Sequence, residues 1–171
     1  MSRSQDYTEE LSLLAGGHLP KPPSEGPTKD LLQAFPNRSL GRPYVIEIVF
    51  PEFTSLCPVT GQPDFGCIRV EYIPFERCVE SKSFKLYMHA FRDHQSFMET
   101  TTNKILTDLH AVLDPLWIRV QGLFVPRGGT RINVYAEREK KLSGVKARRI
   151  RRCIDAYRSD VSLEHSPYSS R

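Results

Sequence analysis

The stretch YVIEIVFPEFTSLCPVTGQPDFGCIRVEYI, residues 44–73, holds two β-forming runs and the turn that joins them. Tyr44 to Phe50 is dense in β-branched and aromatic residues, and Pro51, which has no N–H to give a ladder, is expected to end the run. Cys67 to Ile73 alternates: Ile68, Val70 and Tyr72 share one face, Arg69 and Glu71 the other, the period of a strand covered on one side. Pro58, Gly61 and Pro63 stiffen the link between them. The two strands should therefore pair antiparallel, with Cys57 and Asp64 facing each other at the ends of the turn.

Downstream the period changes. From Ser83 to Arg92 the apolar residues Phe84, Tyr87, Met88 and Phe91 fall at helical steps. Ser96 followed by Glu99 has the spacing of a capping box, and Ile105, Leu109, Val112 and Leu113 carry one stripe to Asp114-Pro115, which predicts a second, longer helix. Trp117 to Val125 and Thr130 to Tyr135 return to β character around Pro126-Arg127-Gly128-Gly129, a hairpin turn by composition. The order ββααββ predicts an α+β fold, an antiparallel four-stranded sheet with two helices on one face. Such a sheet leaves two open edges, which joining to other subunits would close.

The chain of 171 residues is the size of one domain. An extended arm over 1–30, rich in Gly and Pro, a catalytic domain over 31–137 and a basic C-terminal helix and tail over 138–171 are the expected divisions. No apolar run reaches membrane-spanning length and no signal core opens the chain, so a cytoplasmic protein is expected. The four cysteines, at 57, 67, 78 and 153, lack the close pairing of a zinc site, so no metal is expected and reduced thiols are the natural reading. Arg138 to Arg152 holds eight Lys or Arg residues but no interleaved aromatics, which favours a solvated helix over a nucleic-acid surface.

Chemistry concentrates in the first turn. Cys67 and Cys78 sit in apolar surroundings and read as structural, whereas Cys57 stands among prolines and polar residues. A thiol beside a carboxylic acid suits covalent catalysis: sulfur attacks an electrophilic carbon and the acid protonates the anion that results. Asp64 alone would be an ordinary turn residue, and Arg127-Gly128 alone an ordinary hairpin tip.

Three blocks together resemble the NADPH-dependent nitrile reductases of queuosine biosynthesis, which convert 7-cyano-7-deazaguanine (preQ0) to the aminomethyl compound: Cys57 to Asp64, Glu80-Ser81-Lys82-Ser83-Phe84-Lys85-Leu86-Tyr87, and Pro126 to Gly129. The resemblance, spanning about Leu31 to Ala136, implies the tunnelling fold, whose subunits join their sheets into barrels, and a ring-like homo-oligomer with sites at subunit interfaces. It implies a Cys57 thioimide, Asp64 as proton donor, and Val79, Glu80, Ser81, Met98 and Glu99 on the substrate. Ser81, Lys82, Arg127 and Gly128 are implied to hold NADPH, the cofactor, without any dinucleotide-binding βαβ unit. Where the family has a His-Glu pair this chain has Met98-Glu99, and His94, read as one helical turn earlier, is the nearest imidazole. A relative that uses ammonia on the tRNA-borne nitrile, and a non-catalytic RNA-binding module, are the competing readings. The intact Glu80 to Tyr87 block argues against the first, and only the basic tail supports the second.

Overall fold

Both runs of residues 44–73 form strands and pair, but each extends further than its apolar stretch. A computed structural model describes residues 26–161, so most of the expected arm (1–25) and the tail's last residues (162–171) lie outside the described residues. The elements are β1 (Ala34–Pro36), β2 (Ile46–Leu56), β3 (Pro63–Ile73), β4 (Arg77–Val79), α1 (Ser81–His89), α2 (Met98–Leu113), β5 (Trp117–Phe124), β6 (Asn133–Glu139) and α3 (Gly144–Val161), after a short 3-10 turn at Lys29–Leu31. The main sheet has the antiparallel order β2-β3-β5-β6, and β1 pairs with β4 in a separate two-stranded piece. The expected ββααββ core is therefore present, with β1, β4 and α3 added to it.

Strand β2 does not stop at Pro51. The ladder slips between Phe50 and Phe53, and pairing resumes as far as Ser55 opposite Asp64 and Leu56 opposite Pro63. A proline is tolerated here because β2 is an edge strand and the slip is a bulge, where no ladder N–H is needed. Asp64 is thus the second residue of β3 rather than a turn residue.

Pleat alternation sorts the sheet's two faces. Ile68, Val70, Tyr72, Ile118, Val120 and Phe124 point toward α1 and α2, where Phe84, Tyr87, Phe91, Ile105 and Leu109 close the main core. Gly122 is required there: a side chain on it would run into Thr102 of α2 and the Phe124 ring, so its absence lets the start of α2 lie close on the sheet. On the opposite face Ile73 and Trp117 pack with Ile150 and Ile154 of α3 in a second, smaller core. The basic C-terminal segment is therefore an amphipathic helix with a buried stripe, not a fully solvated one. Among the described residues no helix is long and apolar enough to cross a membrane.

Helix starts also differ from expectation. The N-cap of α1 is Glu80, whose carboxylate accepts from the backbone N–H of Lys82 at 2.9 Å and of Ser83 at 2.7 Å, so the helix starts at Ser81, two residues before the expected Ser83. Ser96 does not cap α2; Phe97 holds that position without a side-chain bond. Leu56 explains this, because its N–H donates to His94 O and its carbonyl accepts from Ser96 N–H, both at 3.0 Å, which ties the 94–96 segment to β2 in an extended form. His94 lies in that segment, off any helix surface, with its ring edge-on to Phe91.

Candidate active site

The Cys57 turn is built by its own backbone. Gly61 N–H donates to Cys57 O at 2.9 Å and Cys57 N–H to Gln62 O at 2.8 Å, closing a single turn in which Gly61 takes φ +67°. Pro58 supplies the fixed φ that starts such a turn. Cys57 then stands at the start of the turn, and the N–H groups of Val59 and Thr60 face its sulfur. Its thiol is lowered to about 6, first by the Thr60 hydroxyl, then by the backbone N–H groups of Thr60 and Val59, then by the Arg127 guanidinium, which together outweigh its burial. Burial instead pushes the thiols of Cys67, Cys78 and Cys153 up. Only one of the four free cysteines is thus poised as thiolate near neutral pH.

Asp64 is 3% exposed. Desolvation raises its carboxyl above the ordinary range, partly offset by the charge of Arg127. Arg127 reaches it from the β5–β6 hairpin: Val125 N–H donates to Phe65 O at 2.8 Å, and Arg127 and Thr130 exchange backbone bonds around Gly128 and Gly129, both at positive φ. Two left-handed residues in a two-residue turn need glycine, which accounts for the Gly-Gly pair. Arg127 Nη1 lies 3.0 Å from Asp64 Oδ1, yet among the described residues no N–H is aligned on that oxygen, which is buried without a hydrogen bond. Two hydroxyls share this condition: Ser55 Oγ, cross-strand from Asp64, and Thr101 Oγ1, in the first turn of α2.

The structure brings Cys57, Asp64, Arg127 and Gly128 to one end of the sheet, and the Leu56 pairing draws Met98 and Glu99 to the same end. Met98 is buried in the main core, whereas Glu99 is exposed, so the two side chains diverge. Val79, Glu80, Ser81 and Lys82 belong elsewhere. They follow Arg77, whose guanidinium bonds Val112 O at the C-terminal end of α2, a helix about 24 Å long that starts at Met98. This second group is fixed by Gln33: its carbonyl takes Glu80 N–H at 2.8 Å and its N–H meets Ser83 Oγ at 3.0 Å. Gln33 Oε1 is buried and unpaired.

Four contributors were not visible as site residues in the sequence. Thr60 had a signal, since it lies inside the Cys57 turn; Gln33, Ser55 and Thr101 had none, because their polarity matters only once burial leaves them unpaired.

The sheet, the two covering helices and the Cys–Asp–Arg group define the class. Residues 63–143 match the family described as QueF-like protein. Relatives named NADPH-dependent 7-cyano-7-deazaguanine reductase include those of Desulfovibrio desulfuricans, 68% identical over 80% of this chain and 81% of the relative, and Nitratidesulfovibrio vulgaris, 58% identical over 93% and 95%. That of Neisseria meningitidis serogroup B is 46% identical over 80% and 85%. The crystal structure of an apo archaeosine synthase QueF-Like superposes with TM-score 0.54 at 22% identity, covering 58% of this chain and 98% of that one, a likeness of fold. This chain belongs to the family of NADPH-dependent 7-cyano-7-deazaguanine reductases.

Proposed function

We propose that the chain reduces the nitrile of 7-cyano-7-deazaguanine to the primary amine, with Cys57 as nucleophile and Asp64 as proton donor. The observation that carries the proposal is the pairing of a lowered thiol with a raised, buried carboxyl under one guanidinium. Thiolate attacks the nitrile carbon, one C–N π bond becomes a lone pair on nitrogen, and Asp64 delivers the proton that nitrogen takes up, giving a thioimide. Opposite environments on neighbouring groups suit opposite protonation states, which is what an addition and a protonation in one step require.

NADPH supplies one hydride per molecule, and the four-electron change from nitrile to amine therefore consumes two. The residues fit such a cofactor: Lys82 forms no ion pair among the described residues, and Arg127 is 41% exposed at its hairpin tip, so both cations can meet phosphate. Ser81 and Gly128 stand beside them. Glu80 and Glu99 suit the N–H and amino edge of a guanine-like ring, Glu80 through the acceptor sites its capping bonds leave over, while Val79 and Met98, buried in the main core, back these two carboxylates rather than meet the ring themselves.

Within one chain the Val79–Lys82 group and the Cys57 group occupy opposite ends of the helix layer. Among the described residues strands β2 and β6 are open edges, and Val49, Ile132 and Tyr135 on or beside them are exposed. A ring in which one subunit's Cys57 end meets the next subunit's Glu80 end would complete the site and pair the edges, and it would shield the imine intermediate from water.

Intact-mass measurement with the nitrile and no NADPH tests the reading. Wild type should gain the mass of one substrate and Cys57→Ala should not; an adduct on Cys67, Cys78 or Cys153 would overturn it.

A further inference from the structure

The Arg127 guanidinium contacts both groups that trade charge during nitrile addition: it hydrogen-bonds the Cys57 sulfur and lies 3.0 Å from Asp64 Oδ1. We infer that Arg127 is a positioning residue for that step: it holds the Cys57 thiolate and the Asp64 carboxyl in one arrangement and compensates the negative charge as it passes from sulfur to carboxylate. This rests on the reading of Cys57 as nucleophile and Asp64 as proton donor, and it is separate from any contact Arg127 makes with the cofactor.

The charge balance requires such a group. Before addition the charged members are the thiolate and Arg127, with Asp64 protonated. The S–C bond forms, a C–N π bond breaks, and the proton leaves Asp64 for nitrogen; sulfur is now neutral and the carboxylate is charged. One negative charge has moved from sulfur to carboxylate, and the net charge of the three residues is zero both before and after the step. A cation bound to only one terminus would hold the charge there and oppose its transfer. Asp64 is 3% exposed, so water cannot do this work at the carboxyl end.

Geometry supports a bridging rather than a simple ion-pairing role. Nη1 stands 3.0 Å from Asp64 Oδ1 without a hydrogen bond aligned on it, so the contact is electrostatic and leaves that oxygen open. A tightly bonded pair would fix Asp64 as carboxylate and take away its proton. The arginine is also held by main chain: the Arg127–Thr130 exchange and the Val125 to Phe65 bond tie the hairpin to β3 next to Asp64. Its position is therefore set before substrate arrives. A planar fork can meet two acceptors at once where an ammonium acts as a point.

The experiment omits NADPH, which removes cofactor binding from the readout. In wild type, Arg127→Ala and Arg127→Lys, with circular dichroism to check folding, adduct formation with 7-cyano-7-deazaguanine is timed by intact mass. The Cys57 thiol is titrated by its ultraviolet thiolate absorbance, against Cys57→Ala as blank. Arg127→Ala should form the adduct on the order of 10- to 100-fold more slowly, with its thiol titrating above the wild-type midpoint. Arg127→Lys should restore the titration and only part of the rate. Adduct formation by Arg127→Ala at the wild-type rate, with a defect confined to the KM for NADPH, overturns the inference and leaves the reductase reading intact. Should wild type itself form no adduct, the nucleophile reading falls, and the titration alone decides for Arg127: an unmoved midpoint in Arg127→Ala overturns its role, a raised one supports it.

Discussion

Strand β3 carries two buried carboxylates seven residues apart on opposite faces, and the molecule treats them differently. Glu71 is 1% exposed and fully provided for: Gln121 Nε2 donates to one oxygen at 3.0 Å, Tyr157 OH to the other at 2.9 Å, and Arg119 stands nearby. It joins the sheet to α3. Asp64, almost as buried, keeps one oxygen without a hydrogen bond and has an arginine placed beside it rather than locked onto it. Burial is the same in both; satisfaction is not. A satisfied buried charge holds structure together, whereas an unsatisfied one stores the capacity to exchange a proton.

The comparison breaks most readily with a paired substitution. Asp64→Asn should keep shape and substrate binding but lose about 10²- to 10⁴-fold in turnover, because an amide has no proton to give. Its stability should stay within about 1 kcal/mol of wild type, since it removes a desolvated acid that forms no full set of bonds. Glu71→Ala should do the reverse: about 2 to 4 kcal/mol less stable in urea, from Gln121 and Tyr157 left unpaired and Arg119 uncompensated, with kcat close to wild type in the folded fraction. If Asp64→Asn unfolds the chain, or Glu71→Ala loses turnover while folded, the division between the faces is wrong.

Thr60→Val sharpens the same contrast at the thiol. Thiolate is the reactive form, so alkylation of Cys57 should rise as pH increases through a midpoint of about 6 in wild type. The Thr60 hydroxyl is the largest cause of the lowering, and its loss should move the midpoint up and slow alkylation at neutral pH by roughly tenfold. The midpoint should remain below the ordinary thiol value, because the N–H groups of Val59 and Thr60 are unaffected. An unchanged profile would place the lowering entirely in the backbone and Arg127.

How much of this was legible depended on how local the determining forces are. The alternation of Ile68, Val70 and Tyr72 and the stripe from Ile105 to Leu113 gave the sheet and α2, because local periodicity decides which face is buried. Pro51 misled because only pairing shows that β2 is an edge with a bulge. The Ser96 capping box misled because Leu56, forty residues away, holds Ser96 extended. Ile150, Ile154 and Tyr157 recur at helical spacing, yet the arginines between them hid the apolar stripe of α3. In the site, Cys57 and Asp64 were readable from residue type and turn chemistry. Gln33, Ser55 and Thr101 are marked only by buried hydrogen-bond vacancies, which exist only after folding.

Met98 offers the smallest and finest test, since sequence and structure pull in different directions there. On the family pattern, a histidine at 98 adds an imidazole that could bond substrate, and Met98→His would raise turnover. The structure puts the Met98 side chain in the main core, 8% exposed, at the first position of α2. An imidazole there must bury two ring nitrogens among apolar neighbours and replace a flexible thioether with a rigid ring, at a cost of about 1 to 2 kcal/mol. His94, with its ring against Phe91 and its pKa lowered chiefly by burial, is also half-buried. Met98→His should therefore lower the urea midpoint while changing the KM for the nitrile by no more than about twofold, a shift below half a kcal/mol. A clear drop in KM with unchanged stability would show that residue 98 turns out of the core when substrate binds, and would move Met98 from the packing of α2 to the face that meets the ring.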